Sequence, residues 1–290
     1  MSDSLKGLLQ LLDLEDLEVN LFRGRSPASG GQRVFGGQVL AQALMAAGRT
    51  VEQGTAHSLH AYFVRPGDVR IPILYQVDRT RDGRSFTTRR VTAIQKGRAI
   101  FHLETSFHVD EDGPRHQVEM PDVPDPEGLP TWQERFAPLV EQLGDGASWF
   151  LGKGPIDIRH ATAFDPMQPA ERPPRLDVWI RADGQVPDDP ILQRCLVAYA
   201  SDMTLIDVAG MPHAMDALAT GYQLASLDHA MWFHRDFRAD SWLLYSQESP
   251  ITSGARGFTT GRLFTQSGEL VASVVQEGLL RPEKPAAERS

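Results

Sequence analysis

The sequence predicts an α+β fold built twice over, and three observations carry that expectation. A helix-like run that packs into a core occurs once in each half, at Val39–Ala47 and at Ile191–Met203. Each run is followed by four segments rich in Val, Ile, Phe and Thr, separated by turn residues, which is the pattern of an antiparallel meander. The halves also echo each other: Ser85-Phe86-Thr87-Thr88-Arg89-Arg90 against Gly257-Phe258-Thr259-Thr260-Gly261-Arg262, and HSLHAYFVRP against SLDHAMWFHR. Repeats of this size point to duplication of a unit that once paired with itself.

Taken in order, residues 3–12 carry Leu5, Leu8, Leu9 and Leu12 behind a Ser/Asp start, a short amphipathic helix. Val19–Arg25 reads as a strand and Ser29-Gly30-Gly31 as a bend. Phe35-Gly36-Gly37-Gln38 opens the run VLAQALMAA, apolar almost all round and so a buried helix. Strands follow at His57–Arg65, Ile71–Arg81, Ser85–Ile94 and Arg98–Val109, with turns at Asp82-Gly83 and Lys96-Gly97. Composition then changes. Asp110-Glu111-Asp112-Gly113-Pro114 and PDVPDPEGLP are rich in turn formers and proline, so residues 113–150 read as a linker with one helix near Trp132–Leu143. That sets an N-terminal unit at residues 1–112 and a C-terminal unit at 151–290. The second unit has strands at Ile156–Ala161 and Leu176–Ala182, its helix, and strands at Tyr222–Arg235, Ser241–Glu248, Arg256–Gln266 and Leu270–Leu280.

Composition bounds the function. The 290-residue chain is 41% hydrophobic and 23% charged, ordinary for a soluble globular protein, and its net charge of −9 argues against a general nucleic-acid surface. A local basic patch for a phosphorylated ligand stays open. One cysteine, Cys195, excludes an internal disulfide framework, fits a reducing compartment and reads as a small core residue. No stretch is apolar enough for a membrane span. The N-terminus lacks the basic region and cleavage site of a signal peptide, and the C-terminus is not of the Ser-Lys-Leu type. The expected location is cytoplasmic.

Asp202 is the first candidate site residue. Ile191, Cys195 and Ala198 form one helical stripe, and one more turn of it lands on Asp202. A carboxylate on a buried face is costly unless paired, which marks it as functional. The alternative is that it turns to solvent at the helix end or caps the next segment of chain. Gln276 falls by alternation on the strand face of Ala272 and Val274, where a buried amide must find partners, backbone included.

RVFGGQVLAQAL, HSLHAYFVRPGD, LDHAMWFHRDFRADSWLLYSQES and VVQEGLLRP, in this order across roughly residues 4–283, resemble the signature segments of the acyl-CoA thioesterase II family. The resemblance implies a double hotdog fold, in which each half wraps a curved antiparallel sheet around one helix and the two sheets join edge to edge. It implies hydrolysis of acyl-CoA to a fatty acid and coenzyme A, with acyl-CoA as substrate, no cofactor and no metal. It also implies a catalytic set of an Asp, a Thr or Ser, and a Gln around a nucleophilic water. These fall on Asp202 in YASDM, Ser226 in LASLDHAMWFHR and Gln276 in VVQEG.

The chemistry of the residues agrees with that set. Asp202 can accept a water proton, burial would raise its weak basicity, and Ser226 and Gln276 can orient the same water. The helix start Gly36-Gly37-Gln38 offers free N–H groups, so Gly37 or Gln38 is expected to help hold the thioester oxygen, unless the glycines only permit tight packing. His57 is a further substrate-site candidate. It cannot pair with His60, three residues along a strand and so on the other face. His229 and His234 flank Trp232-Phe233 and read as structural. Arg65, Arg235 and Arg256 can each reach coenzyme A phosphates, and nothing in the sequence selects among them. Sheet edges and apolar faces predict a homo-oligomer, a dimer or tetramer.

Competing chemistries lack their motifs. There is no Gly-x-Ser-x-Gly elbow, no HExxH, no paired CxxC, no Walker loop and no clean GxGxxG. Hotdog hydratases resemble one another in a Gly-Asp-x-Asn-Pro-x-His segment, and Gly67-Asp68-Val69-Arg70 lacks its Asn and His. A non-catalytic acyl-CoA binder is the other alternative, and it would not need Asp202.

Overall fold

The computed structural model describes residues 1–27, 33–143, 153–168, 170–215 and 222–282. Helix α1 (Asp3–Leu12) starts on Ser2, whose hydroxyl accepts from the Leu5 N–H, and it buries Leu5, Leu8 and Leu12. Where the sequence suggests one strand over Val19–Arg25, the chain forms a hairpin of β1 (Glu15–Glu18) and β2 (Leu21–Gly24). Asn20 turns it at φ 61°, a left-handed conformation that Asn reaches more easily than most residues. Val19 is left 75% exposed at the tip. The Ser29-Gly30-Gly31 bend lies outside the described residues.

Helix α2 (Gly36–Gly48) is buried from Gly37 to Ala47, as its all-round apolar surface requires. It packs against β3 (Thr55–Phe63), β4 (Ile73–Asp82), β5 (Phe86–Gln95) and β6 (Arg98–His108). The segment after β6 leads to α3 (Trp132–Leu143), which opens on a capping box in which Thr131 and Glu134 each bond the other's backbone N–H. Strands β7 (Ile156–His160) and β8 (Arg175–Ala182) precede α4 (Pro190–Ser201) and the short α5 (Asp207–Gly210). The last strands are β9 (Tyr222–Ser226), β10 (Asp228–Phe233), β11 (Leu243–Ser253), β12 (Arg256–Thr265) and β13 (Leu270–Pro282).

All strand pairs are antiparallel and form one sheet, in the order β1-β2-β4-β5-β6-β3-β10-β13-β12-β11-β8-β7, with β9 on β13. The two meanders therefore meet edge to edge at β3 and β10, the double hotdog arrangement. Across that junction Ala230 faces His60, Asp228 faces Tyr62 and Trp232 faces Ser58. Matching the strand ends, Phe63 of β3 with Phe233 of β10 and Ile73 of β4 with Leu243 of β11, relates the halves by a local twofold that carries His60 onto Ala230 and Leu59 onto His229, one residue out of step with the sequence echo. The two central helices obey it as well. They run antiparallel, with Gly37 against the Tyr199 carbonyl and Gly48 against Ile191.

One expected element is broken, and the break matters. The single strand expected over Tyr222–Arg235 is two strands, both on β13. Ser226 faces Gly278 on one side of the break and Ala230 faces Val275 on the other. Four steps along the first chain oppose three along β13, so one extra residue is inserted. Such a bulge re-aims the side chains around it. Ser226 and His229, three apart, would point to opposite faces of a regular strand. The inserted residue puts both on the face that carries Gln276.

Candidate active site

The site forms where the C-terminus of α4 meets the N-terminus of α2. Helix α4 ends at Ser201, and Asp202 is its C-cap, at φ −89° and ψ 1°. Its side chain does not turn to solvent: the residue is only 7% exposed. A carboxylate at a helix C-terminus is doubly unfavourable, through desolvation and through the negative end of the helix dipole. Helix α2 offsets this. Its N-cap, Phe35, makes no side-chain cap bond, and the Gly37 N–H lies close enough to the Asp202 carboxylate to pull its pKa down.

Two side chains complete the cluster. Ser226 Oγ donates to Asp202 Oδ1 at 2.9 Å, and Gln276 Nε2 donates to the same oxygen at 2.6 Å. Asp202 Oδ2 takes neither bond and lies over Gly36, where a Cβ would stand 2.5 Å from it. Burial pushes the Asp202 carboxyl up to about 6 against the pull of the Gln276, Ser226 and Gly37 donors. At neutral pH the group is therefore an ionised carboxylate whose basicity is raised by its surroundings.

Behind these residues lies His229, fully buried. Its Nδ1 accepts from Gln276 Nε2 at 3.1 Å, and its Nε2 is 2.9 Å from Ser201 Oγ. Nδ1 is also 3.9 Å from Asp202 Oδ1, but burial holds the imidazole neutral by lowering its pKa to about 3, so this is not an ion pair. Gln276 Oε1 is buried and has no partner among the described residues. A buried amide oxygen without a partner costs free energy.

Asp202 and Ser226 open on a cavity of about 470 Å³ with an apolar wall of Val34, Val39, Phe63, Ile100 and Ile206, and with Arg33 and Arg65 among its lining. Among the described residues no group of three or more His, Cys, Asp or Glu side chains is placed to hold a metal ion, and no helix is long and apolar enough to cross a membrane.

The structure thus gathers Asp202, Ser226, Gln276 and Gly37, and sets the other candidates elsewhere. Gly37 serves the acid itself, where a bond to a thioester oxygen was expected. Gln38 is committed inward: its backbone N–H bonds to the Phe35 carbonyl, and its side chain donates to the Arg25 carbonyl, Ser26 Oγ and Gln42 Oε1. His57 lies on β3 six positions before the cavity residue Phe63, ~20 Å away at strand rise, and packs edge-on against Phe86 and His108. Of the three arginines only Arg65 reaches the cavity. Arg235 donates to Gln117 and the Leu270 carbonyl, and Arg256 to Glu277. Sequence reasoning missed Arg33, Ser201 and the contact of His229 with the site. The last was hidden by the bulge, which leaves no sequence signal such as Gly or Pro.

Comparison with known proteins shows what the chain is similar to. An acyl-CoA thioesterase family model matches residues 167–279, and an acyl-CoA thioesterase N-terminal domain model matches residues 24–108. The chain is 39% identical to acyl-CoA thioesterase 2 of Haemophilus influenzae, over 97% of this chain and 99% of that protein. It is 44% identical to the crystal structure of acyl-CoA thioesterase II TesB2 from Mycobacterium marinum, with a TM-score of 0.79 over 97% of this chain and 99% of that one. A hot dog fold protein from Alicyclobacillus acidocaldarius, 19% identical, superposes with a TM-score of 0.77 over 96% of this chain and 99% of that one, a likeness of fold alone. Identity at this level over 97% of the chain has one meaning: the chain belongs to the acyl-CoA thioesterase II family.

Proposed function

We propose that the protein hydrolyses acyl-CoA thioesters to a free fatty acid and coenzyme A, using a water activated by Asp202 and oriented by Ser226 and Gln276. The observation that carries this is the convergence of two donors on one buried, ionised carboxylate beside a cavity with an apolar wall. Asp202 takes a proton from the water as its oxygen bonds to the thioester carbon. Ser226 Oγ and Gln276 Nε2 donate to Asp202 Oδ1 and so fix the direction in which the carboxylate meets the water. Collapse of the tetrahedral intermediate breaks the carbon–sulfur bond, and the proton on Asp202 leaves with the products. A thiolate leaves readily, so a strong general acid is not needed. Arg65 and Arg33 at the cavity supply positive charge for a phosphorylated head group.

The test is thiol release from acyl-CoA of increasing chain length. Ser226→Ala and Gln276→Ala are each expected to lower kcat by about 10- to 1,000-fold, the range for lost positioning groups. Full rate in both variants would remove the mechanism. In the wild type kcat/KM should be flat at neutral pH and fall about tenfold per unit below pH about 6, because the base must be ionised and burial raises its pKa. The groups facing Asp202 add no limb of their own there. His229 stays neutral, and burial together with the Asp202 charge lifts the Tyr245 hydroxyl far out of range.

The same reading takes residues 1–112 and 151–290 as the two duplicated units and 113–150 as the linker, with the catalytic residues in the second unit. It also includes a cytoplasmic location and a homo-oligomer, a dimer or tetramer, since β1 and β7 end the sheet as edges. Light scattering should give a mass of at least twice 32.1 kDa, and a monomer alone would end the oligomer proposal.

A further inference from the structure

We propose that His229 is a positioning residue: its Nδ1 lone pair sets which way the Gln276 amide faces and so keeps Gln276 Nε2, rather than Oε1, turned towards the Asp202 carboxylate. The proposal rests on the reading of Asp202, Ser226 and Gln276 given above.

A glutamine amide has two N–H bonds and one acceptor oxygen. In this site Nε2 is 2.6 Å from Asp202 Oδ1 and 3.1 Å from His229 Nδ1. Both are acceptors, so both amide hydrogens are committed and Oε1 is left free. Turned over, the amide would place Oε1 against an ionised carboxylate and an imidazole lone pair, with no hydrogen between them. The observed orientation holds only while His229 carries its proton on Nε2.

Ser201 fixes that tautomer. Its hydroxyl donates to the Ala198 carbonyl at 2.9 Å, so towards His229 Nε2, also at 2.9 Å, it can only accept. The donors run one way, from Gln276 to His229 to Ser201 to the Ala198 carbonyl. Ser201, His229 and Gln276 are all 0% exposed, so solvent does not compete for these bonds. Burial also keeps the imidazole neutral, so protonation does not erase the tautomer near neutral pH.

The local twofold supplies a comparison inside the same chain. The counterpart of His229 is Leu59, which faces Thr105 on β6, and the Thr105 hydroxyl donates to the Ser58 carbonyl at 2.9 Å. The half without the glutamine is also without the histidine. Leucine packs at this position of the fold, so packing does not require an imidazole there.

The experiment joins tautomer and kinetics. ¹⁵N NMR of histidine-labelled wild type should show His229 protonated on Nε2 and not titrating between pH 5 and 8. Protonation on Nδ1 would overturn the proposal without any variant. His229→Leu should lower kcat about 10- to 100-fold with KM changed by less than about threefold. It should also move the acid limb of kcat/KM to higher pH, because the loosened amide no longer donates steadily to Asp202. His229→Asn, whose amide oxygen can stand in for Nδ1, should recover most of the rate. In a Gln276→Ala background His229→Leu should cost nothing further. Ser201→Ala frees the tautomer with little change in volume, and should move rate and acid limb the same way by a smaller amount. Wild-type kcat and an unmoved acid limb in both His229→Leu and Ser201→Ala, with Gln276→Ala slow, would sink this proposal alone. Full rate in Gln276→Ala would sink the reading beneath it instead.

Discussion

Asp202→Asn is expected to lose at least about 1,000-fold in kcat on acyl-CoA while staying folded, within the range for removing a general base. The two carboxamide atoms replace the two carboxylate oxygens with little change in size. One of them, the oxygen, still accepts from Ser226 and Gln276, but neither can take a proton from water. The same variant should be no less stable than wild type at neutral pH. Burial raises the Asp202 pKa from 3.8 to about 6. A carboxyl whose folded pKa is raised favours the folded state least when ionised, so its penalty is absent below about pH 4 and complete above about pH 6. The penalty is on the order of 3 kcal/mol. Urea midpoints for the two proteins should therefore differ at pH 7.5 in favour of the variant and converge towards pH 4.5. A variant that turns over like wild type would remove Asp202 from the chemistry, and one markedly less stable at pH 7.5 would remove the claim that its charge is held at a cost.

Gly37→Ala is expected to damage both stability and rate. A Cβ there would stand 2.5 Å from the Tyr199 carbonyl oxygen and 2.5 Å from Phe35 Cε1. A backbone oxygen within α4 cannot move aside as a side-chain tip can, so α2 must shift away from α4. Overpacking of this kind costs about 1–3 kcal/mol. The shift also draws the Gly37 N–H off the Asp202 carboxylate, and misplacement of this order costs about 100-fold in rate. Gly7→Ala in α1 is the control. Nothing lies within 4 Å of its Cβ position, and alanine in a helix should leave rate unchanged and stability equal or higher. Thermal melts and thiol release on both variants decide the matter. Equal behaviour of the two would show that the contact of the helix termini is not what holds the acid in place.

What could be read from the sequence depends on which forces are local. The stripe Ile191, Cys195, Ala198, Asp202 was legible because helical periodicity carries burial directly, and Cys195 and Ala198 are indeed fully buried. Gln276 was legible for the same reason on a strand, by alternation with Ala272 and Val274. The Val19-Asn20 hairpin was missed because the turn signal is one residue, Asn20, inside an otherwise strand-like run. The face of His229 was missed because a single inserted residue reverses alternation, and the ladder that reveals it belongs to a strand some fifty residues later. The partner of the Gly37 N–H is a tertiary fact, set by two helices far apart in sequence. His57 was singled out by residue type, and its position on β3 places it among Phe86 and His108.

The twofold through His60 and Ala230 also tells how the two ends of the helix pair have parted company. Beyond the last turn of α2, the station that answers to Asp202 is held by Arg49 and Thr50. There the Arg89 guanidinium, 1% exposed, bonds the Thr50 hydroxyl and carbonyl. In a dimer of identical subunits every substitution appears on both sides of the axis. Two units joined in one polypeptide carry no such obligation: one end of the helix pair holds a buried carboxylate beside a cavity, and the other a buried guanidinium.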